Sequence, residues 1–442
     1  MSEMPDIEER AIAVLTQNDR GLYTIPAAHL YPHQWLWDSC FIAIGQRHYD
    51  VERAKMEVLS LLRGQWSNGM VPHIIFTPGK KSAMHSGVWD SWVSPYAPDD
   101  MSTSGITQPP LLAEAIFRIG EKLDLPERRS WYKQVFPALF NYHQWLYRER
   151  DPHQEGLVLQ IHPWETGLDN SPSWMSEMHN HLLPWWVRVL QATKLEILIS
   201  YFRLDTRYVD RDQRPTNIDA MALFAVQRRL RRKEYNIDRI LTHSLFAIED
   251  LAFNSVFVRA NDILLNIAKT IRADVPDDFI KMTEKTKRAF NDLWDPYTES
   301  YYSREFVTHK LIKEPTIASL LPLYAGCISK ERAKVLVKTI ENSHLFGPAY
   351  PLPSVPLNSP WFDANRYWQG PAWINTNWLI AEGLLRYGYK DHAEALIESS
   401  IEMVGNDEFH EYFNPLTGDP LGAKNFSWTA ALVLDWAKRG HK

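Results

Sequence analysis

Cysteine is nearly missing from this chain. Its 442 residues hold two, Cys40 and Cys327, far apart in the sequence. That argues against a disulfide framework and a cysteine-ligated metal site, and it fits a reducing compartment. Runs of one charge are missing too. The net charge is −6, with 48 Lys and Arg against 54 Asp and Glu, and no basic stretch stands out, so nucleic-acid binding lacks its electrostatic footprint. No apolar run is long enough to span a bilayer. The first residues, Met1 to Arg10, are acidic and polar, unlike a signal peptide. A cytoplasmic protein is expected, with neither nucleic acid nor membrane among its partners; a homo-oligomer stays open. Catalytic signatures are equally sparse. His179 and His181 stand two apart rather than four, and H-E-x-x-H is absent. So are a G-x-G-x-x-G after a strand, a P-loop and a G-x-S-x-G elbow. No cofactor and no metal are expected, and Ser-His-Asp hydrolysis is unsupported.

What the chain does have is helical period. Amphipathic patterns cover residues 8–17, 41–48, 51–65, 108–123, 128–149, 184–202, a stretch opening at Asn217, 256–272, 278–293, 316–324, 331–343, 371–387, 391–404 and 427–439. Strand signals are few; 295–307 is short, aromatic and alternating, and predicts a small hairpin. Asp295-Pro296-Tyr297-Thr298-Glu299 and Asn414-Pro415-Leu416-Thr417-Gly418 echo one another, a weak internal repeat. Long irregular stretches recur between the helix pairs, above all 66–107 and the proline-rich 347–365. Loops of this length are uncommon unless functional. Paired helices with long loops predict an all-α toroid, an α/α barrel with its site in the mouth. An irregular solenoid is the weaker alternative, because its repeats are expected to be more regular.

The chain also has aromatics to spare: 18 Trp, 19 Tyr and 18 Phe. Indole presents an apolar face beside an N–H donor, which suits the stacking of sugar rings as well as a core. Four aromatic clusters stand out, 35–38, 164–169, 367–373 and 409–418, and carboxylates are embedded in all but 367–373. The stretch His162-Pro163-Trp164-Glu165-Thr166-Gly167-Leu168-Asp169-Asn170-Ser171-Pro172-Ser173-Trp174 carries two of them on a turn-rich loop. A carboxyl against an aromatic wall is partly desolvated, which favours its protonated form, as a general acid needs. The bland reading is a helix N-cap at Asp169 or Ser171, with Glu165 a solvated charge. Glu411 sits in a matching aromatic setting. Two loop carboxylates converging in an aromatic pocket are the minimal equipment for glycoside hydrolysis.

In combination these segments resemble glycoside hydrolase family 63 and, within it, the short bacterial members that hydrolyse glucosylglycerate and mannosylglycerate. The carriers are Gln34-Trp35-Leu36-Trp37-Asp38-Ser39, Thr107-Gln108-Pro109-Pro110, Trp164 to Pro172, Asp205-Thr206 through Arg214-Pro215-Thr216, Tyr367-Trp368-Gln369-Gly370-Pro371-Ala372-Trp373, and Glu411-Tyr412-Phe413-Asn414-Pro415. Their order spans nearly the whole chain. The resemblance implies a single (α/α)6 catalytic domain over 1–442, with loop insertions at about 66–107 and 345–366 over the site. It implies an inverting α-glycosidase in which Asp169 is the general acid and Glu411 the general base. It places Tyr31, Trp35, Leu36, Trp37, Asp38, Gln108, Gly167, Arg203, Tyr367 and Trp368 at the substrate, with Arg203 forking onto the glycerate carboxylate. One departure stands out: the family more often has Arg where this chain has Gln369. A neutral amide brings no charge to the aglycone, which leaves open an α-glucosidase for neutral disaccharides or glucosylglycerol. A non-catalytic sugar-binding protein on the same barrel is the third reading.

Overall fold

The computed structural model describes residues 6–78, 86–177, 185–193, 203, 205–242, 246–347, 350–405 and 408–439. Twelve of its helices alternate along the chain between an outer and an inner layer. The outer ones are α1 (Ile7–Gln17), α3 (Val51–Arg63), α5 (Leu125–Arg150), α7 (Asp277–Ala289), α9 (Lys330–Glu341) and α11 (Lys390–Val404). The inner ones are α2 (Leu36–Gln46), α4 (Leu112–Gly120), α6 (Leu251–Ile271), α8 (the single turn Pro322–Ala325, led in by the 3-10 turn Ile317–Leu320), α10 (Ile374–Arg386) and α12 (Ser427–Ala437). The inner six touch in a closed circle: α2 on α4, α4 on α6, α6 on α8, α8 on α10, α10 on α12, and α12 back on α2. This is the all-α (α/α)6 barrel. Burial explains the layering. All of α2 and α10 up to Leu384 is buried, whereas outer helices such as α3 and α9 bury a single stripe; in α3 that stripe is Arg53, Ala54, Glu57, Val58 and Leu61.

The connections are asymmetric. Inner helices pass to the next outer helix through 47–50, 121–124, 272–276, 326–329 and 387–389, turns so short that each pair must run antiparallel. Outer helices return through 18–35, 64–111, 151–250, 290–321, 342–373 and 405–426. All long segments therefore gather at the end where the inner helices begin. The short turns close the opposite end, where buried ions join the inner helices. Asp435 binds Arg47 (2.8 Å), His48 and Arg439, Arg439 also reaches Glu382, Arg118 bridges Glu382 and Glu114, and Tyr324 donates to Glu114.

Several expectations shift in detail. Helix α2 starts at Leu36 rather than Phe41, because extended Trp35 ends a two-residue strand paired with Ile74–Ile75. The segment 151–250 is an insertion between α5 and α6. Its helices Pro172–Glu177, Trp185–Ala192, Asn217–Arg232 and Ile237–Leu241 lie outside the ring. The helix expected over 184–202 is described only for Trp185–Ala192; its remainder, the stretch Lys80 to His85, His179 and His181 lie outside the described residues. The echoing motifs prove equivalent in place. Each forms the turn of a hairpin on an outer-to-inner connection, Trp294–Asp295 with Ser300–Tyr301 and Tyr412–Phe413 with Pro420–Leu421. The second half of the 295–307 stretch departs from a simple hairpin, since Arg304–Glu305 pairs with Ile248–Glu249. Among the described residues no helix is long and apolar enough to cross a membrane.

Candidate active site

The site forms where four of the long connections meet the inner helices. Glu411 leads the hairpin before α12. Its backbone N–H donates to Ala423, and Ala423 N–H returns a bond of 3.0 Å to Oε2. Tyr31 donates its hydroxyl to Oε1 at 2.7 Å, and Arg214 lies 3.4 Å from both carboxylate oxygens. Arg214 also donates to the Tyr31 hydroxyl at 2.7 Å and sits over the Tyr367 ring, 4.3 Å from its centroid. The Tyr367 hydroxyl in turn donates to Asp169 Oδ2 at 3.3 Å. One guanidinium and two phenols thus connect Asp169 to Glu411, residues remote in sequence. Gly422 makes room for the arrangement: a Cβ there would lie 2.8 Å from Glu411 Oε2 and 2.5 Å from the Tyr412 ring.

The two carboxyls are set differently. Burial pushes Asp169 up to about 7; the Arg214 charge and the Tyr367 bond pull against it, and the Glu411 charge adds to it. Glu411 is buried among donors. A third carboxyl, Asp38 in the first turn of α2, is pushed well up, first by burial and then by Glu411 and Asp169.

The neighbouring segments fit around these groups. Trp37 donates its backbone N–H to Gln108 Oε1 at 3.1 Å, which ties the start of α2 to the approach of α4. The indole N–H groups of Trp35 and Trp37 are buried without a protein acceptor among the described residues; buried donors of this kind normally have a partner, so they are suited to a ligand. Gly167 ends the 3-10 turn Pro163–Thr166 at φ 76°, a left-handed conformation that glycine adopts without strain. Tyr367 is held at φ 38°, and Trp368 stacks on Trp373 at 3.8 Å.

Some expected residues land elsewhere. Leu36 is fully buried in the core, and its N–H is bonded to the His73 carbonyl. Arg203 forks onto Asp205 (3.0 and 2.5 Å) and donates to the Pro215 carbonyl and Asn217 Oδ1. Among the described residues it is linked to Arg214 through Asp205, which lies 3.6 Å from Arg214. Glu165 is neither solvated nor beside Asp169. It is fully buried, paired with Arg150 at 2.7 Å, and it accepts from the Ile161 and Thr107 amides. Trp174 approaches the Asp169 carbonyl with its indole N–H at 3.5 Å, while Trp164 joins His73, Trp89 and His162 in a separate aromatic box. Ser171, not Asp169, precedes the helix Pro172–Glu177.

The residue the sequence reading passed over is Arg214. It stands in the Asp205 to Thr216 stretch that carries the resemblance and at a helix start, Arg214-Pro215-Thr216-Asn217, with no role of its own expected, and Thr216 does form a capping box with Asp219. That start is the signal: a proline and a full cap just downstream make the arginine's backbone rigid. Gln213 fixes it further, accepting from Tyr412 through its carbonyl (2.6 Å) and from Gly422 N–H through its side chain (3.0 Å).

A toroid of six helix pairs that gathers several carboxyls, an arginine and Trp and Tyr rings at the mouth defines a glycoside hydrolase of the (α/α)6 class. Residues 31–429 match the family described as mannosylglycerate hydrolase MGH1-like glycoside hydrolase domain, and the chain belongs to that family, within glycoside hydrolase family 63. It is 38% identical to a mannosylglycerate hydrolase of Thermus thermophilus, over 97% of this chain and 100% of that one. It is 32% identical to a glucosylglycerate hydrolase of Mycolicibacterium hassiacum, over 97% and 96%. The crystal structure of a Thermus thermophilus mannosylglycerate hydrolase in complex with Tris and D-glycerate superposes with a TM-score of 0.88 at 37% identity, covering 98% of this chain and 100% of that chain.

Proposed function

We propose that the protein hydrolyses a small glycosylglycerate, 2-O-α-glucosylglycerate or mannosylglycerate, to the free sugar and glycerate with inversion, residues 1–442 acting as one cytoplasmic catalytic unit. Asp169 gives its proton to the glycosidic oxygen as the bond to the anomeric carbon breaks. Glu411 takes a proton from a water that attacks that carbon from the opposite face. Inversion needs room for this water, so the two carboxyls are expected roughly 6.5–9.5 Å apart. The observation that carries the reading is the asymmetry of the pair: Asp169 is held up to about 7 by burial, while Glu411 is ringed by donors. A carboxyl kept protonated by burial suits the acid, and a carboxyl surrounded by hydrogen-bond donors suits the base.

Asp38 and the indoles of Trp35 and Trp37 hold the sugar, with Gln108 and the backbone at Gly167 beside them, and Tyr367 and Trp368 complete its wall. Arg203 takes the glycerate carboxylate, exchanging its fork on Asp205 for a fork on the ligand. Its present commitment to Asp205 also favours a second reading, a neutral aglycone such as glycerol or a second sugar. Purified protein assayed on glucosylglycerate, mannosylglycerate and glucosylglycerol, together with Asp169→Asn and Glu411→Gln, tests both. Turnover confined to the glycerates and lost in both variants supports the first reading. Preference for glucosylglycerol supports the second, and near wild-type turnover in either variant removes the assignment of that residue.

A further inference from the structure

Gln369 is a neutral residue at a position where the family more often has arginine. Its side chain is 5% exposed, and its amide Nε2 donates to the carbonyl of Asn170 at 3.0 Å. The residue before it, Trp368, donates its backbone N–H to Asn170 Oδ1 at 2.9 Å, and the residue before that, Tyr367, donates to Asp169. Three consecutive residues thus grip two consecutive residues of the loop that carries the acid. The gripping side is stiff. Gln369 N–H donates to the Arg366 carbonyl at 2.8 Å, and its own carbonyl accepts from Asp363 N–H at 2.7 Å. Gly370 donates to Ser354 Oγ at 2.8 Å and has no space for a Cβ, which would lie 2.1 Å from the Asp363 carbonyl oxygen. Trp368 is pinned flat on Trp373. On the gripped side Asn170 is fully buried, so a carbonyl deprived of its donor there would stay unsatisfied.

We infer that Gln369 is a positioning residue: by holding the Asn170 carbonyl it sets where the Asp169 carboxyl stands against the glycosidic oxygen. The inference rests on the reading of Asp169 as the acid. It assigns Gln369 to the acid step and not to recognition of the aglycone, because the amide is buried and anchored on the loop through one of its two N–H groups. Displacing a proton donor by about 1 Å costs roughly 100-fold in rate when the departing oxygen needs that proton. A departing fluoride does not need it.

The test compares Gln369→Leu, Asp169→Asn and the double variant on a glycosylglycerate and on the matching α-glycosyl fluoride. Gln369→Leu is expected to lower kcat on the glycosylglycerate by roughly 10- to 100-fold, with KM and inhibition by the free sugar little changed and fluoride hydrolysis near wild type. In the Asp169→Asn background it should add no further loss on the glycosylglycerate. Gln369→Glu keeps the size without the amide donor; it should behave as Gln369→Leu at neutral pH and replaces it if the leucine variant fails to fold. Equal losses on both substrates, or a raised KM with unchanged kcat, overturn the positioning role. So does a Gln369→Arg variant that gains affinity for the acidic glycoside over glucosylglycerol. Full turnover of Asp169→Asn on the glycosylglycerate instead sinks the acid reading itself, whatever residue 369 does.

Discussion

Asp169→Asn is expected to trade activity for stability, and to do so only on one side of a pH window. In the folded protein burial holds the Asp169 carboxyl up to about 7, against an ordinary value of 3.8. An unfolded chain ionises that carboxyl first as pH rises. Folding is therefore not penalised by Asp169 below about pH 4, loses stability progressively between about 4 and 7, and carries the whole penalty above 7. The full separation corresponds to a ceiling of about 4 kcal/mol at about 1.36 kcal/mol per pH unit. Asp169 is only partly buried, so solvent screens much of this and ~1–2 kcal/mol is the working figure. Asparagine cannot ionise and can still accept the Tyr367 hydroxyl. The variant should melt roughly 1–2 °C above wild type at pH 8, given the unfolding entropy of a chain this long, and level with it at pH 4. Its turnover should fall by about 10²-fold or more, the usual contribution of a positioned proton donor. Differential scanning calorimetry at the two pH values and initial rates at pH 6–7 measure both effects. A melting difference that is equal at pH 4 and pH 8, or reversed at pH 8, would show that the carboxyl is not held protonated and refute the chain of reasoning from burial to acid.

Three further outcomes follow from the same geometry. Gly422→Ala puts a methyl group into Glu411 and Tyr412 at a left-handed position (φ 70°); kcat should fall by about 10-fold or more as the Glu411 carboxyl, the proposed base, is displaced, and steady-state rates that match wild type would show that the hairpin gives way freely. Arg203→Ala should raise KM for glycosylglycerates far more than for glucosylglycerol, and an equal loss on both would mean that Arg203 acts only through Asp205 and Arg214. At the closed end, Asp435 is held far below the usual carboxylate range, first by Arg47 once burial is overcome, with His48 and Arg439 adding to it. That stability is present above about pH 4 and is lost as pH falls below it, so Asp435→Asn should destabilise by about 3–5 kcal/mol at neutral pH through the buried arginine it strands, and flatten the acid side of the stability curve measured by denaturant melts.

Much of the barrel was legible because its helices obey one local rule each. An outer helix such as α3 buries one stripe, and that stripe has the helical period. The boundaries that slipped are those set by partners elsewhere in the chain. Nothing local to Leu36-Trp37-Asp38 says that a helix begins there; the strand pairing of Gln34–Trp35 with Ile74–Ile75 decides it. The status of 151–250 as an insertion was hidden for the same reason. Its helices have the same amphipathic pattern as those of the ring, and only closure of α4 onto α6 in space shows that they are not part of it.

The site was legible to the extent that its residues differ in kind from their surroundings. Carboxylates among indoles and turn formers stood out, and Asp169 and Glu411 do converge on one electrostatic neighbourhood. Glu165 met the same description and is a buried clasp, because a sequence cannot show that Arg150, the last residue of α5, reaches it. Arg214 failed for the opposite reason: arginine at a helix start is common, and its meaning here comes from contacts to Tyr31, Tyr367 and Glu411, which lie on three different connections of the barrel. That placement makes it the link between the surroundings of Asp169 and Glu411. The same positive charge that pulls Asp169 down from the still higher value burial alone would impose also faces both oxygens of Glu411. The one cation therefore bears on both carboxyls, through its charge at Asp169 and by contact at Glu411.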